Sequence, residues 1–287
     1  MHNYLKNIFI LIRIHQPIGF LLLFYPCVWG IFAAVNSSSE LYQNSYLIIL
    51  FLFGSIVMRG AGCVINDIFD RNLDNKVSRT KDRPIASHRI NLRDASLLFI
   101  FLSLIGLCIL LSLSSTSIKI GLFSFGLLII YPLCKRFTYW PQLFLGITFN
   151  IGVLIAYTSV LGKLDLPIIY LYAAGIFWTL GYDTIYAHQD KKDDLMVGIK
   201  STAILFGQNT KKWIIFFYSA MLLMLLLYGT FTSQKYLYFI GLFAVLAHFT
   251  KQIISLRINN PSDCLAIFKS NQYVGLLISI ILITKLI

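Results

Sequence analysis

The sequence predicts an all-α protein that crosses a membrane many times. Of its 287 residues, 57% are apolar and 15% aromatic, whereas only 13% are charged, about half of the charged fraction of a typical soluble domain. The apolar residues also fall into repeated runs close to the roughly 20 residues that a helix needs to cross a bilayer. We therefore expect residues 1–287 to form a single transmembrane domain.

Nine apolar runs, bounded by polar or turn residues, are predicted to be transmembrane helices. They cover approximately residues 18–35, 45–65, 95–113, 118–133, 141–160, 167–187, 212–231, 236–256 and 271–287. The first run follows Lys6 and Arg13, as a signal peptide would, but it is long and many equal runs follow it. We interpret it as a retained first helix.

The distribution of basic residues predicts the orientation. Most of the 24 Lys and Arg residues lie in the amino-terminal arm and in alternate connections between the apolar runs. The positive-inside rule places these parts in the cytoplasm and the carboxyl terminus outside, and the pattern fits a bacterial inner membrane. Topology therefore explains the net charge of +12, and the scattered basic residues do not form a nucleic-acid-binding domain.

The first of two acidic segments leaves the second predicted helix and reads Asn66-Asp67-Ile68-Phe69-Asp70-Arg71-Asn72-Leu73-Asp74. If the helix continues through it, Asn66, Asp70 and Asp74 lie at positions i, i+4 and i+8 and share one face. An oxygen-rich face at the cytoplasmic end of a membrane helix indicates a binding site for a cation.

The second acidic segment leaves the sixth predicted helix, from Asp183 to Asp194. Asp190 and Asp194 are again four residues apart, and Asp183, seven residues before Asp190, would share their face on a continuous helix. Carboxylates stacked in this way repel one another unless a cation lies between them.

Magnesium is the cation that these segments favour. Hard oxygen ligands suit Mg²⁺, which commonly bridges protein carboxylates to substrate phosphates. Neither segment has the loop with a central glycine and a terminal glutamate that an EF-hand calcium site requires. The alternative is that the aspartates are ordinary solvated charges at helix ends. The five cysteines form no CxxC pair and are interpreted as packing residues.

The two acidic segments resemble the signatures of the UbiA family of membrane prenyltransferases, NDxxDxxxD and a later DxxxD. Here they read NDIFDRNLD from Asn66 and DKKDD from Asp190. The resemblance extends through RIHQPIGFLLLFYPCVWG, MRGAGCVINDIFDRNLDNKVSRTKDRPI, YPLCKRFTYWPQLFLG and GYDTIYAHQDKKDDLMVGIKSTAILFG, up to about Gly207. Within the family, these segments are most similar in sequence to the enzymes that prenylate 4-hydroxybenzoate in ubiquinone biosynthesis.

The resemblance implies nine transmembrane helices around a cavity that opens toward lipid and is capped by cytoplasmic loops. It also implies transfer of a polyprenyl group from a polyprenyl diphosphate to an aromatic acid, 4-hydroxybenzoate or a related compound, ortho to its hydroxyl. Mg²⁺ would help diphosphate to leave. The predicted metal ligands and catalytic residues are Asp70, Asp74, Asp190 and Asp194, with Asn66 as a neutral ligand.

Further residues are predicted to bind the substrates. They are Arg59, Asp67, Arg71, Lys135, Arg136, Asp183 and Tyr186. Lys135 and Arg136 would complete the diphosphate clamp, although they could equally serve as membrane anchors. Arg59 lies within a predicted span, where a guanidinium is costly and implies an inward-facing partner. That partner is the acceptor carboxylate or diphosphate, with a structural ion pair to an aspartate as the alternative.

Aromatic residues could shield the carbocation that forms when diphosphate departs. Tyr131, Tyr157, Tyr182 and Tyr186 are candidates, although many aromatic residues in this chain must face lipid or pack. His188 could assist proton removal.

Two other classes of function are also compatible with the sequence. In a transporter, the acidic residues and Arg59 would mark a path for an ion or a substrate, and in a structural scaffold they would have no chemical role. A UbiA-type enzyme with a different acceptor is a third alternative.

Overall fold

The computed structural model describes residues 2–286, which form helices and their connections, as predicted. In chain order, the α-helices of these residues are α1 His2–Leu11, α2 Ile18–Ala34, α3 Ser38–Asp74, α4 Leu92–Leu111, α5 Ser115–Phe137, α6 Pro141–Asn150, α7 Gly152–Leu161, α8 Leu166–Ala187, α9 Lys191–Val197, α10 Thr202–Phe206, α11 Thr210–Phe231, α12 Tyr236–Ser255 and α13 Pro261–Ile283. Short 3₁₀ turns follow α10 and α13, at Gly207–Asn209 and Thr284–Leu286.

Helix α3 carries the first acidic segment beyond the membrane. It begins where the Ser37 hydroxyl accepts a hydrogen bond from Glu40 N at 3.2 Å, while the Glu40 carboxylate accepts one from Asn36 N at 2.8 Å, a reciprocal cap. Its 37 residues span roughly 55 Å at 1.5 Å per residue, against about 30 Å of hydrocarbon. The prediction that Asn66, Asp70 and Asp74 share one continuous helix is confirmed.

The second acidic segment is interrupted. Helix α8 ends at Ala187, and the N–H groups of His188 and Gln189 bond three residues back, to the carbonyls of Ile185 and Tyr186. The tightened turn breaks the helical register before α9 begins. Asp183 and Asp190 therefore do not share one helix face, contrary to our expectation, whereas Asp194 N still bonds the Asp190 carbonyl at 2.8 Å.

Seven helices of residues 2–286 are long and apolar enough to cross a membrane, which makes the chain an integral membrane protein. They are Ser38–Asp74, Leu92–Leu111, Ser115–Phe137, Pro141–Leu161, Thr202–Phe231, Tyr236–Ser255 and Pro261–Leu286, of which the fourth combines α6 with α7, the fifth α10 with α11, and the last α13 with the turn that follows it. The predicted count of nine is not confirmed, because α2 has only 17 residues and α8 carries several tyrosines and Asp183 in its 22 residues.

The last helix and the amino-terminal arm also differ from the prediction. The last helix starts at Pro261, about ten residues earlier than the apolar run, because Asn260 caps it and Pro261 suits its first turn. The amino-terminal arm, for which no helix was predicted, forms α1, whose Leu11 packs with Val64, Ile85 and Ile90 beside α3.

Two tryptophans connect α13 to the rest of the bundle. Trp29 of α2 and Trp178 of α8 pack with ring centroids 5.3 Å apart. Their indole N–H groups donate to α13, from Trp29 to the Gly275 carbonyl at 3.1 Å and from Trp178 to Asn271 Oδ1 at 2.8 Å. Because each buried N–H is satisfied, the core that α2, α8 and α13 share is also fixed in register.

Candidate active site

A polar cavity of about 600 Å³ lies at the acidic end of α3. All five predicted metal ligands line it: Asn66, Asp70, Asp74, Asp190 and Asp194. Four of the predicted substrate-binding residues, Arg59, Lys135, Asp183 and Tyr186, line the same cavity. The fold thus brings together two acidic segments that are more than a hundred residues apart in sequence.

Asp70 lies on the inner face of α3 and is 1% exposed. Its Oδ2 accepts a hydrogen bond from Lys135 Nζ, near the end of α5. Its Oδ1 is buried and has no hydrogen-bond partner among residues 2–286. A buried carboxylate oxygen without a donor is costly, and this atom is therefore ready to accept a cation.

Asp74, one turn further along α3, pairs with the connection between α3 and α4 (residues 75–91). Arg83 Nη1 donates to both carboxylate oxygens of Asp74, at 3.1 and 2.9 Å. The same nitrogen donates to Asp67 Oδ1 at 3.1 Å. Arg83 thereby folds the connection back over the acidic end of the helix.

A second ion pair joins that connection to the second acidic segment. Arg79 donates from Nε to Asp190 Oδ1 at 2.6 Å and from Nη2 to Asp190 Oδ2 at 2.5 Å. Its guanidinium carbon also lies 5.9 Å from the Tyr186 ring centroid. This bidentate contact therefore joins the α3–α4 connection to the second acidic segment over one cavity.

Asp194 is the acidic side chain outside the spans whose ionisation is most perturbed. Burial raises its pKa to about 7, and the neighbouring charge of Asp190 adds to this effect, while Lys135 and Arg79 oppose it. Two carboxylates one helical turn apart, in a partly dehydrated cavity, cannot both hold their charge cheaply without a cation.

An apolar cavity of about 470 Å³ adjoins the polar one. Five residues line both cavities and define the neck between them: Arg59, Gly62, Tyr131, Leu145 and Phe149. Residues of α2, α3, α4, α5, α6 and α7 form most of the rest of the apolar wall. Leu104 and Leu122 line it and are more than half exposed.

Arg59 at the neck forms no ion pair or hydrogen bond with any residue from 2 to 286. Its guanidinium lies 5.6 Å from the Phe149 ring centroid and packs against Gly19, where a Cβ would come within 2.6 Å of Nε. A glycine at position 19 leaves room for the guanidinium. The structural ion pair that we considered as the alternative for Arg59 is absent from this part of the chain.

Several predicted residues do not line the cavity. Asp67 is 1% exposed and lies behind Arg13 and Arg83, which line the cavity and donate to its carboxylate. Arg71 donates instead to the backbone carbonyl of Ile68, and Arg136 donates across to that of Phe69 on α3. Neither arginine lines the polar cavity.

Two other candidates also lie elsewhere. Tyr157 is on α7, donates to Asp165 at 3.0 Å and lines neither of the two cavities. His188 is buried and bonded to Thr210 at 2.9 Å. Burial, with a smaller contribution from Lys191, lowers its pKa to about 4. Because it does not line the polar cavity, proton removal by His188 has no geometric support.

Sequence reasoning missed the arginines that hold the aspartates in place. Arg13, Arg79 and Arg83 all line the polar cavity, but we had interpreted them only as topological charges. The signal was available, because Arg13 lies in RIHQPIGF and the other two in SRTKDRPI, segments that carry the family resemblance. Helix α13, for which we found no motif, also lines the cavity with Phe268 and Lys269.

The donor set fits a magnesium ion, although it is not assembled around one. Within residues 2–286, no three His, Cys, Asp or Glu side chains are grouped closely enough to hold a metal. Carboxylate and amide oxygens are nonetheless the ligands that Mg²⁺ prefers, and Asp70 Oδ1 lacks a partner. Lys135 forms an ion pair with Asp70, and Arg79 forms one with Asp190. A metal that binds these aspartates would therefore have to displace the two cationic side chains.

A model of the UbiA prenyltransferase family matches residues 23–279. The chain belongs to this family. The mitochondrial 4-hydroxybenzoate polyprenyltransferase of Drosophila melanogaster is 47% identical over 272 residues, which are 93% of this chain and 68% of that protein. The human protein of the same name is 46% identical over 272 residues, or 93% of this chain and 72% of that protein.

Two solved UbiA homologues share the fold. The homologue from Archaeoglobus fulgidus bound to GPP and Mg²⁺ has a TM-score of 0.72 at 15% identity and covers 97% of this chain and 99% of that chain. The apo homologue from Aeropyrum pernix K1 has a TM-score of 0.72 at 20% identity, with 93% and 96% covered. The all-helical UbiA fold that the sequence predicted is thus confirmed.

Proposed function

We propose that this UbiA-family protein transfers a polyprenyl group from a polyprenyl diphosphate to 4-hydroxybenzoate, in ubiquinone biosynthesis. The C–O bond to diphosphate breaks, a bond forms to the ring carbon ortho to the hydroxyl, and that carbon loses its proton. The names of the similar relatives support this acceptor. The observation that carries the proposal is the meeting of an acidic cavity and an apolar cavity at Arg59.

The acidic cavity suits the diphosphate group. Asn66, Asp70, Asp74, Asp190 and Asp194 would hold Mg²⁺ there, and the ion would supply Lewis-acid stabilisation of the departing charge. Lys135 and Arg79, which pair with Asp70 and Asp190 without the metal, are then free to donate to diphosphate oxygens. Asp70 and Asp190 thus hold in the cavity the two cationic side chains that would bind the departing diphosphate.

The apolar cavity suits the prenyl chain. Its wall is made mostly of leucine, isoleucine and phenylalanine side chains, and burial of each CH₂ there contributes about 0.8 kcal/mol. Its lining includes lipid-exposed Leu104 and Leu122, which supports entry of a long chain from the bilayer. Tyr131 and Phe149 at the neck shield the allylic cation from water and stabilise it through their π faces.

The acceptor would lie at the neck, between the two parts of the donor. Arg59 lies at that point and has no ion-pair partner in the part of the chain that the structure describes, and a carboxylate accepts two parallel hydrogen bonds from a guanidinium. Binding the acceptor carboxylate at Arg59 turns the hydroxyl-bearing part of the ring toward the allylic carbon. Asp183 and Tyr186, which line the polar cavity nearby, complete the proposed acceptor pocket.

The basic connections support the proposed orientation, with the amino terminus and both acidic segments on the cytoplasmic side of a bacterial inner membrane. The named relatives are mitochondrial proteins, so the equivalent side of a mitochondrial membrane is the alternative. The proposed chemistry is the same in both settings.

The experiment that tests this function compares acceptors in the purified protein reconstituted with lipid, Mg²⁺ and a polyprenyl diphosphate. We expect ring-prenylated product from 4-hydroxybenzoate, and little from phenol, which lacks the carboxylate, or from benzoate, which lacks the activating hydroxyl. Arg59→Ala should raise the KM for 4-hydroxybenzoate about tenfold or more, as the loss of a charge-assisted contact requires, with little change for the donor.

Two results would contradict the proposal. Equal turnover of phenol and 4-hydroxybenzoate by the wild type would remove the role of the carboxylate. An Arg59→Ala protein with the wild-type KM for 4-hydroxybenzoate would remove Arg59 from the acceptor site. Arg59→Lys is the matched variant, since it keeps the charge and loses only the planar two-point contact.

A further inference from the structure

Gly62 is the neck residue that presents backbone in place of a side chain. The other neck residues are Arg59 of α3, Tyr131 of α5, and Leu145 and Phe149 of α6. The α3 wall of the neck therefore consists of Arg59 and the backbone of Gly62, which lines both cavities. The residue at position 62 thus affects how wide the passage between the two cavities is.

The backbone conformation of α3 does not require a glycine at this position. Gly62 lies inside a helix of 37 residues, where glycine is less favourable than alanine because it loses more conformational freedom on folding. The glycines of this chain with positive φ are Gly162, Gly198 and Gly207, and Gly62 is not among them. Any residue can adopt the helical backbone that Gly62 has.

Close packing against another helix does not require a glycine here either. Small residues in membrane helices usually allow two backbones to approach. Gly30 is an example, because a Cβ there would lie 2.3 Å from the Val153 carbonyl oxygen. At Gly62, by contrast, a Cβ would have no atom of residues 2–286 within 4 Å outside its own stretch of α3. The space beside Gly62 is therefore part of the cavity, and a side chain would occupy it.

Helical spacing places Gly62 between the proposed acceptor site and the proposed metal ligands. Arg59 precedes it by three residues and Asn66 follows it by four, so all three share one face of α3. Neighbouring positions on such a face are roughly 5–6 Å apart. A short, rigid ligand whose carboxylate binds Arg59 has room to extend along this face, over Gly62, toward Asn66.

We propose that Gly62 is a specificity-determining residue for the acceptor, and that the aromatic ring of 4-hydroxybenzoate lies against its backbone. The inference rests on the proposed function and deepens it. Without a side chain at position 62, a flat ring has space at the neck beside Tyr131 and Phe149, whose aromatic rings can stack on it. Arg59 then selects the acceptor by charge, and Gly62 selects it by shape.

A rigid ring and a prenyl chain would respond differently to a side chain at position 62. The acceptor ring is fixed through its carboxylate, so it cannot move away from a new methyl group without losing the contact with Arg59. A prenyl chain has many rotatable bonds and can bend around the same methyl group. Alanine at this position should therefore exclude the acceptor while the donor still binds.

The test uses the full-length protein in lipid nanodiscs and measures, by calorimetry, binding of 4-hydroxybenzoate, of benzoate, and of inorganic diphosphate with Mg²⁺. Gly62→Ala should weaken binding of both aromatic acids about tenfold or more, because a methyl group added to a filled site overpacks it. Diphosphate affinity should not change. In the transfer assay, the KM for 4-hydroxybenzoate should rise to the same extent as its affinity falls, with the wild-type KM for the donor.

The melting temperature separates this role from packing. Gly62→Ala should melt at the wild-type temperature or higher, since alanine is the better helix former and its methyl group meets no neighbouring residue of the described chain. Gly126→Ala is the matched control, because Gly126 of α5 has similar free space around its Cβ position and lines neither cavity. It should bind both acids as the wild type does, whereas Gly62→Val should bind them more weakly than Gly62→Ala.

Three results would overturn the inference. The first is wild-type affinity of Gly62→Ala for both acids. The second is an equal rise in the donor KM, which would place the prenyl chain at Gly62. The third is a lower melting temperature, or failure to fold, which would show that position 62 serves packing. Failure of the proposed function is seen separately, as wild-type protein that binds the aromatic acids but forms no prenylated product, whereas wild-type protein that binds neither acid would overturn both.

Discussion

Arg79 and Asp190 form a two-point ion pair, with Nε–Oδ1 and Nη2–Oδ2 distances of 2.6 and 2.5 Å, across 111 positions of sequence. The pair ties the α3–α4 connection to the second acidic segment at the rim of the polar cavity. A metal that binds Asp190 must compete with this guanidinium. The same arginine, once released, can bind the diphosphate that arrives with the metal.

Replacement of Arg79 should therefore change metal and diphosphate binding in opposite directions. Arg79→Ala should tighten Mg²⁺ binding in the absence of substrate, because Asp190 loses a competing cation. It should also weaken diphosphate binding about tenfold or more, since charge-assisted hydrogen bonds contribute about 1.5–3 kcal/mol each. Titration of the reconstituted protein with Mg²⁺ alone, and then with diphosphate at saturating Mg²⁺, measures both effects.

Arg79→Lys is the matched variant for that experiment. It keeps one charge near Asp190 and should fall between the wild type and Arg79→Ala in both titrations. Weaker Mg²⁺ binding in Arg79→Ala would contradict the competition that we infer.

The raised pKa of Asp194 predicts a pH dependence of metal binding. A metal needs the ionised carboxylate, and the pKa of this group is about 7 in the metal-free protein because of burial and the adjacent Asp190. Above pH 7 the group is already ionised, whereas below pH 7 the metal must displace its proton. Apparent Mg²⁺ affinity should therefore fall as the pH drops below 7, by up to about tenfold per unit for this one proton.

Asp194→Asn is the control for this effect. It should bind Mg²⁺ more weakly at pH 8 and should lose most of the pH dependence between pH 6 and 7. Calorimetric titrations at these three pH values are sufficient, and a steep dependence that persists in Asp194→Asn would assign the proton to another group.

The apolar cavity predicts a limit on donor length. Gly54 lines it on α3, five residues before Arg59, and a Cβ at this position would lie 3.8 Å from the nearest atom, in Ile109. Gly54→Leu should project into the space that a long chain needs, while the neck stays open. We expect near wild-type kcat/KM with dimethylallyl diphosphate and a loss of about tenfold or more with long donors, because several CH₂ groups lose burial at about 0.8 kcal/mol each.

A donor-length series with a fixed acceptor measures that limit. Gly54→Ala is the matched variant, since a methyl group fits without displacement, and it should behave like the wild type. An equal loss for every donor in Gly54→Leu would indicate a general packing defect.

Much of the fold and of the acidic cavity could be predicted from the sequence. The apolar runs and the i, i+4, i+8 spacing of Asn66, Asp70 and Asp74 are local patterns, and helical geometry converts them directly into spans and a shared face. Nine of the predicted site residues line the polar cavity, because each acidic segment lies at the same end of its helix.

Ion pairs between residues that are far apart in sequence could not be predicted from such local patterns. Arg79 pairs with Asp190 and Arg13 with Asp67 only because tertiary packing brings four separate segments together, and no spacing rule encodes such contacts. The break after Ala187 was also missed, since three-residue-back hydrogen bonds replace helical ones there without a proline or glycine to signal it. Arg71 and Arg136 do not line the polar cavity, which the sequence could not show, because it places an arginine near a helix end but does not give the side on which it lies.

The most direct test of the account measures prenylated 4-hydroxybenzoate and released diphosphate, with and without Mg²⁺, for the wild type, Asp70→Ala and Asp82→Ala. Asp82 is an exposed acidic residue of the α3–α4 connection and serves as the control. We predict equal amounts of both products from the wild type and Asp82→Ala only with Mg²⁺, and a loss of about a thousandfold in Asp70→Ala, as removal of several kcal/mol of charge stabilisation requires. Full activity of folded Asp70→Ala, or product formation without any divalent cation, would contradict the account.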